Sequence, residues 1–197
     1  MKTHHTCLLA LLLALPLAAC GGQPSSSTGN DTADTTLGKK VREATDEARK
    51  KLASENISVS RDNGVKAEIT PAGDLLVGGK TVAIDDAQRK LLLEYRTQIV
   101  EVAEAGIEIG VQGANLGMRA AGEAIKGIFS GDTDKIEERV NAEAKKLEES
   151  AVKICDRMPA LLATQQQLAA ALPEFKPYAT MTQGDIEECR NGSVKLR

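Results

Sequence analysis

The sequence predicts an α+β fold in which helices cover a small antiparallel sheet. Apolar residues recur every three or four positions over 37–54 and again from 85 to 172, a spacing typical of amphipathic helices. Between 57 and 84 they alternate with polar residues instead, which indicates strands. The expected order is an N-terminal helix, a β-meander of about four strands, then a long glycine-rich helix and a helical hairpin.

The N-terminal helix is expected between Leu37 and about Ser54. Charged residues separate its apolar positions, which are Leu37, Val41, Ala44, Ala48 and Leu52. Six basic residues on this helix could contact anionic lipid: Lys39, Lys40, Arg42, Arg49, Lys50 and Lys51. Because Glu43, Asp46 and Glu47 interrupt them, a solvated helix face is the favoured interpretation.

The four strands are predicted from turn residues that separate short alternating runs. Turns are expected at Asp62-Asn63-Gly64, at 71–74 and at Gly78-Gly79, where the residue types tolerate positive φ. One face of the strands carries the apolar residues Ile57, Val59, Val65, Ala67, Ile69, Leu75, Val77, Val82 and Ile84. Since no further strand pattern follows, the cover of this face is expected to be helical.

The long helix is expected to begin at Asp85, with Gln88 three residues later completing a cap, and to continue to about Ser130. At 100° per residue, four of its glycines form one narrow ridge: Gly106, Gly110, Gly113 and Gly117. The opposite side is polar, with Glu101, Glu104, Glu108, Gln112, Asn115, Arg119, Glu123 and Lys126. Each glycine costs about 1 kcal/mol against alanine in a helix, so close approach of another backbone is expected at the ridge.

Three interpretations of the ridge stay open: packing within the chain, a seam for self-association or a partner, and insertion into lipid. The helix after Gly131 has a narrow apolar stripe, which suits a hairpin folded back on the ridge. Insertion is disfavoured because Glu104, Glu108 and Arg119 leave no apolar span of sufficient length.

The last part of the chain is expected to contain a helix over 160–172 and a short helix near 185–190. The short helix would bring Cys189 back to Cys155. If the chain is exported, these two cysteines are expected to form a structural disulfide, because they are too far apart in sequence for a redox pair of the Cys-x-x-Cys kind.

The first twenty residues predict export and a lipid anchor. Residues 1–19 read as a signal peptide, with Lys2 before an apolar run that is too short to span a bilayer. Leu17-Ala18-Ala19-Cys20 resembles the bacterial lipobox, in which the cysteine becomes the acylated N-terminus. Cys20 is therefore the expected lipid attachment site, residues 20–36 the lipidated end and a flexible linker, and residues 37–197 a single domain. In a host with two membranes, Gly21, instead of the aspartate of inner-membrane retention, favours an outer-membrane location facing the periplasm.

Composition excludes several kinds of chemistry. Without residues 1–19 the chain has 24 basic and 28 acidic residues, which argues against a nucleic-acid partner. Both histidines lie in the removed segment, so catalytic triads and most zinc sites are excluded. We expect no catalytic residues, no metal and no cofactor. Carboxylates of the long helix (Glu101, Glu104, Glu108) and those near its end (Asp132, Asp134, Glu137, Glu138) could bind a cation, but a solvated face and helix capping are favoured.

Three stretches resemble the YggN-like family of exported bacterial proteins. They are 67–75 (AEITPAGDL), 77–82 (VGGKTV) and 86–95 (DAQRKLLLEY), while the later helices and the two cysteines match loosely. The family is functionally uncharacterised, so the resemblance implies an envelope location and a shared fold without catalytic residues. Gln88, Arg89 and Tyr95 carry the resemblance; they could form a recognition patch, although packing of the helix start on the sheet is favoured.

The hypothesis that fits these observations is a non-catalytic, lipid-anchored envelope protein that faces the periplasm and acts by contact with another protein. Its anchor would hold it to the membrane through Cys20. The alternatives are a structural lipoprotein that self-associates through the glycine ridge and, less favoured, an enzyme that uses carboxylates or a cation-binding protein.

Overall fold

A computed structural model describes residues 35–60, 64–130 and 133–192, and within these ranges the side chains of all but 126–130 and 133–135. The helices are α1 (Thr36–Ser54), α2 (Asp86–Ser130), α3 (Thr133–Cys155), α4 (Met158–Ala171) and α5 (Gln183–Arg190). The strands are β1 (Ile57–Ser58), β2 (Ala67–Ile69), β3 (Leu75–Val77) and β4 (Lys80–Thr81), and a 3₁₀ turn spans Lys176–Tyr178. The predicted α+β class and the order of its elements are confirmed.

The sheet is an antiparallel meander in the order β1-β2-β3-β4. Ile57 pairs with Ile69, Ala67 with Val77, and Leu76 with Thr81. The β3–β4 hairpin turns on Gly78 and Gly79, whose φ angles are +58° and +76°, a region that glycine enters without strain. The strands are shorter than the apolar alternation predicts, since Val59, Val65, Val82 and Ile84 lie outside them.

The core lies between the sheet, the first third of α2 and the end of α4. Ile69 and Leu75 come from the sheet, and they pack with Leu92 and Tyr95 of α2 and with Leu168, Leu172 and Phe175. The rings of Tyr95 and Phe175 meet edge to face with their centroids 5.5 Å apart. The expected helical cover of the sheet is therefore provided by α2 and α4.

Arg96 joins three elements inside the molecule. Its side chain is buried, and its guanidinium donates to the carbonyl oxygens of Ile69 at 3.0 Å, Leu52 at 2.8 Å and Glu55 at 2.8 Å. Burial lowers the pKa of Arg96 because the charged form loses its hydration. The carbonyls at the end of α1 thus receive charged donors, and this fixes α1 to both β2 and α2.

Helices α1 and α3 both run antiparallel to α2. The Thr35 hydroxyl lies 3.7 Å from the Met118 sulfur, whereas the other end of α1 meets Arg96. Ion pairs mark the register of α3, and they are Arg157–Glu101 at 3.1 Å, Arg119–Glu143 at 4.0 Å and Arg139–Glu123 at 3.4 Å. Two helices therefore flank the long helix over much of its length.

A disulfide links the end of α3 to α5. Cys155 and Cys189 are bonded, with their Cα atoms 5.7 Å apart, as the sequence analysis expects for this pair. Thr182 and Asp185 form a reciprocal capping box at the start of α5, and Ile186 on this helix is fully buried. The disulfide and Ile186 together hold the C-terminal helix on the body of the protein.

Candidate interaction face on helix α2

Three of the four ridge glycines are exposed. Among the described residues, a Cβ atom built on Gly106, Gly110 or Gly117 would meet nothing within 4 Å, whereas one on Gly113 would lie 3.5 Å from Cδ2 of Leu147. The expectation that the hairpin folds back on the glycine ridge is therefore wrong for Gly106, Gly110 and Gly117. Only Gly113 faces α3.

The position of α3 explains this difference. Leu116 and Met118 lie about 100° to either side of Gly117 on the helix. Leu116 lines a groove with Leu147 of α3, while Met118 contacts Thr35 at the start of α1. Helices α1 and α3 therefore occupy the two flanks of α2, and Gly117 lies exposed between them.

We call the exposed strip the glycine face and define it by Gly106, Gly110, Gly117, Ala121 and Ala124, all of them exposed. It carries no charged side chain. At 100° per residue it continues the side of α2 on which Leu92, Tyr95 and Ile99 face the core. One side of α2 is thus covered by the sheet and α4 at its beginning and uncovered farther along.

The glycine face is unfavourable for the folded monomer. Each of its three glycines costs about 1 kcal/mol relative to alanine in a helix, or roughly 3 kcal/mol together. No atom within 4 Å of the three Cβ positions offsets this cost. The described part of the chain therefore gives no packing reason for these three glycines.

The opposite flank of α2 forms a polar groove with α3. Two adjoining cavities of about 270 and 230 Å³ share Arg119 and Glu143 in their walls. The Glu143 carboxylate lies 4.0 Å from the Arg119 guanidinium and 3.2 Å from the Lys146 ammonium. Part of the side that the sequence analysis treats as solvated is therefore used for contact with α3 through ion pairs.

The candidate carboxylates on α2 do not converge. Glu101 pairs with Arg157, and Glu108 accepts a hydrogen bond from Gln112 at 3.4 Å. Among the described residues there is no group of three or more His, Cys, Asp or Glu that could hold a metal ion. Asp132 lies outside the described residues.

Gln88, Arg89 and Tyr95 have structural roles in the described chain. Gln88 completes the predicted cap with Asp85 and also donates to the carbonyl of Ala171 at 2.7 Å. Arg89 donates to the Asp74 carboxylate and to the carbonyl of Ala72, which fixes the turn between β2 and β3. Tyr95 is 7% exposed, and burial raises the pKa of its hydroxyl. The favoured interpretation, packing of the helix start on the sheet, matches these contacts.

Arg96 was not predicted from the sequence. A lone arginine in a helix is normally exposed to solvent. The acceptors of Arg96 are backbone carbonyls, which leave no pattern in the sequence. Its place beside Tyr95, at the core-facing part of α2, is the only indication that the sequence offers.

Cys20 and the lipobox lie outside the described residues. Within the described ranges, no helix has the length and hydrophobicity needed to cross a bilayer. The proposed anchor at Cys20 therefore remains a prediction from the sequence.

Residues 133–181 match the model of a family described as a protein of unknown function, DUF2884. This match covers α3, α4 and the 3₁₀ turn, about a quarter of the chain, and it lies outside the stretches between 67 and 95 that resemble the YggN-like family. No curated protein and no solved structure is significantly similar to the chain. The comparisons therefore relate this region to an uncharacterised family and assign no residue a role.

Proposed function

We propose that the protein is a lipid-anchored, non-catalytic interaction module of the bacterial envelope, a YggN-like lipoprotein attached to the outer membrane through Cys20 and facing the periplasm. In this proposal the glycine face of α2 binds a partner protein. The anchor is supported by Leu17-Ala18-Ala19-Cys20 after an apolar run, and the non-catalytic role by the lack of histidine beyond residue 5.

The observation that carries the proposal is the exposure of Gly106, Gly110 and Gly117 in the middle of a helix. Glycine removes the side chain from a helix surface, which lets another backbone approach closely. A partner helix on this face would gain packing along several turns and would offset the helix-destabilising effect of the three glycines. The flanking helices α1 and α3 would orient it along α2.

Photo-crosslinking in living cells tests this proposal. A photoreactive residue at Ala121, on the glycine face, is expected to capture an envelope protein, and the same residue at Glu108, on the opposite side of α2, is expected to capture much less. Equal capture at both positions, or none at either, would remove the glycine face as the binding surface.

A matched pair of substitutions adds a control on the same helix. Gly117 and Gly122 are both exposed, and neither has an atom within 4 Å of its Cβ position. Gly117→Leu is expected to abolish capture at Ala121, because a large side chain blocks close approach. Gly122→Leu, about 140° away around the helix, is expected to leave capture intact.

Self-association through the same face is the second candidate function. Three exposed glycines along one helix suit close packing of two identical helices as well as they suit a different partner. Crosslinks at Ala121 that join two copies of this chain, lost in Gly117→Leu, would favour the structural oligomer over the adaptor.

The anchor has its own test. Cys20→Ser is expected to release the protein from membrane pellets and to abolish incorporation of labelled palmitate. Continued palmitate labelling of the Cys20→Ser chain would contradict acylation at Cys20.

A further inference from the structure

Helix α1 differs in charge from the rest of the chain. It contains six basic and three acidic residues, whereas the remainder of 20–197 contains 18 basic and 25 acidic residues. The protein is therefore acidic as a whole but basic on the helix nearest to the proposed anchor.

The positive charge is concentrated at the start of α1. Lys39, Lys40 and Arg42 lie in its first two turns, and the first turn contains no acidic residue. Cations at a helix N-terminus are opposed by the helix dipole, so local helix energetics do not account for this arrangement. Asp46 and Glu47 pair with Arg49 and Lys51 toward the other end of the helix.

These basic residues face away from the body. The inner side of α1 is formed by Val41, Thr45, Ala48 and Leu52, all half-buried, while Lys39, Lys40 and Arg42 are exposed. No ion pair within the described chain involves Lys39 or Lys40. Their ammonium groups are available to an external anion.

The chain that would carry the acyl groups enters the fold at this same end. Thr35 caps α1, with its hydroxyl accepting from the Gly38 amide at 3.0 Å. Thr35 lies fifteen positions after Cys20, and even a fully extended chain of that length spans at most about 50 Å. An anchored chain would keep the start of α1 near the lipid surface, which raises the effective concentration of headgroups around it.

We infer that the first two turns of α1, through Lys39 and Lys40, bind the anionic phospholipid headgroups of the leaflet that holds the acyl chains. This inference rests on the proposed lipid anchor. Each basic residue close to an anionic surface strengthens the attraction by roughly five-fold, and tethering makes the sum of these weak contacts effective. The contact sets which end of the helical body is nearest to the membrane.

The test uses the lipidated protein reconstituted into vesicles, with a fluorophore at Thr36→Cys or, as a control on the same helix, at Ala53→Cys. Both positions are exposed. The vesicles contain phosphatidylcholine with about 30% phosphatidylglycerol and a headgroup-labelled nitroxide lipid. This lipid is expected to quench position 36 at least about three-fold more than position 53. Pure phosphatidylcholine or high salt is expected to reduce this difference to the smaller one that the tether alone produces.

Charge variants test whether the basic residues at the start of α1 cause the preferential quenching of position 36. Lys39→Glu with Lys40→Glu is expected to reduce the preferential quenching to the level seen in pure phosphatidylcholine. Lys145→Glu with Lys153→Glu on α3, both exposed and with the same change in net charge, is expected to retain it.

Flotation of the vesicles distinguishes failure of the lipid anchor from failure of headgroup binding by α1. If the protein floats with both lipid mixtures and the ratio of quenching at positions 36 and 53 is the same in both, the inference is overturned and the anchor stands. If the protein floats with neither mixture, the anchor fails and the inference fails with it.

Discussion

The Arg96 guanidinium donates hydrogen bonds to three backbone carbonyls. Arg96→Met removes one buried and two partly buried hydrogen bonds to those carbonyls, so the free energy of unfolding is expected to fall by about 2 to 4 kcal/mol. Urea unfolding followed by circular dichroism measures this change. Arg89→Met, which removes a partly exposed ion pair and a hydrogen bond to the Ala72 carbonyl, is the control and is expected to cost less. Equal effects of the two substitutions would contradict the central role of Arg96.

Asp74 gives the protein a specific dependence on acid. The hydrogen bond from the Arg89 guanidinium lowers the pKa of Asp74 below its ordinary value. Because the folded pKa is lower than the unfolded one, the stabilisation is present above the unfolded pKa, about 4, and is lost as pH falls through the folded pKa. Unfolding measured from pH 7 to pH 2 is expected to show a shallower acid decline in Asp74→Asn. An unchanged acid decline would show that the ion pair does not contribute.

Gly73 is required by its backbone and its surroundings. Its φ is +80°, and a Cβ there would lie 2.7 Å from Cγ of Leu93. Gly73→Ala is therefore expected to lower the free energy of unfolding by about 1 to 3 kcal/mol. A thermal melt measures the change, and a variant that unfolds at the wild-type temperature would mean that the turn relaxes at no cost.

Glycines of helix α2 are expected to respond in the opposite direction. Gly106→Ala, Gly110→Ala and Gly117→Ala add a methyl group into open space on a helix, so each should raise the free energy of unfolding by about 0.5 to 1 kcal/mol. Gly122→Ala, also exposed with open space, is the matched control and should stabilise equally. A loss of stability at the glycine face alone would mean that the face is packed in the free protein.

Local signals explain which features of α2 could be predicted. Asp85 and Gln88 mark its start because a cap depends only on residues three apart. Periodicity also identifies which glycines share a side of the helix. It does not say which side a neighbouring helix takes, and here the pairs Arg119–Glu143 and Arg139–Glu123 lie where α3 packs. The polar flank of α2, which the sequence pattern assigns to solvent, thus packs against α3 in the structure.

The alternation of apolar residues also did not predict the lengths of the strands. Val65 and Val82 continue the alternation of their neighbours, yet both lie outside the paired segments. β4 is only two residues long, and beyond it the Val82 amide still donates to the Leu75 carbonyl at 2.8 Å. Alternation therefore marks a face of the sheet that extends beyond the regularly paired residues.

The disulfide supports one end of the whole molecule. Cys155 and Cys189 are 34 residues apart, and a loop of this size corresponds to about 3 to 4 kcal/mol in the chain-entropy model. Cys155→Ala with Cys189→Ala is expected to lower the free energy of unfolding by this amount and to accelerate amide exchange in α5 more than in α2. Uniform acceleration across both helices would contradict a local role for the bond.

At the scale of the molecule, the sequence predicts the class and element order because these depend on periodicity and caps. It does not predict Arg96 or the exposure of the glycine face, because both depend on contacts between distant segments. These are the features on which the proposed function depends.

The closure of the core has a consequence for the order of folding. Gln88 meets Ala171 across 83 residues of chain, and Tyr95 meets Gln165 across 70, whereas Glu123 and Arg139 are only 16 apart. Nearby segments find each other sooner because their loops close at a smaller entropic cost. The α2–α3 hairpin is therefore expected to form early and the sheet to be sealed late. The apolar side of the sheet therefore stays open until Phe175 packs against it.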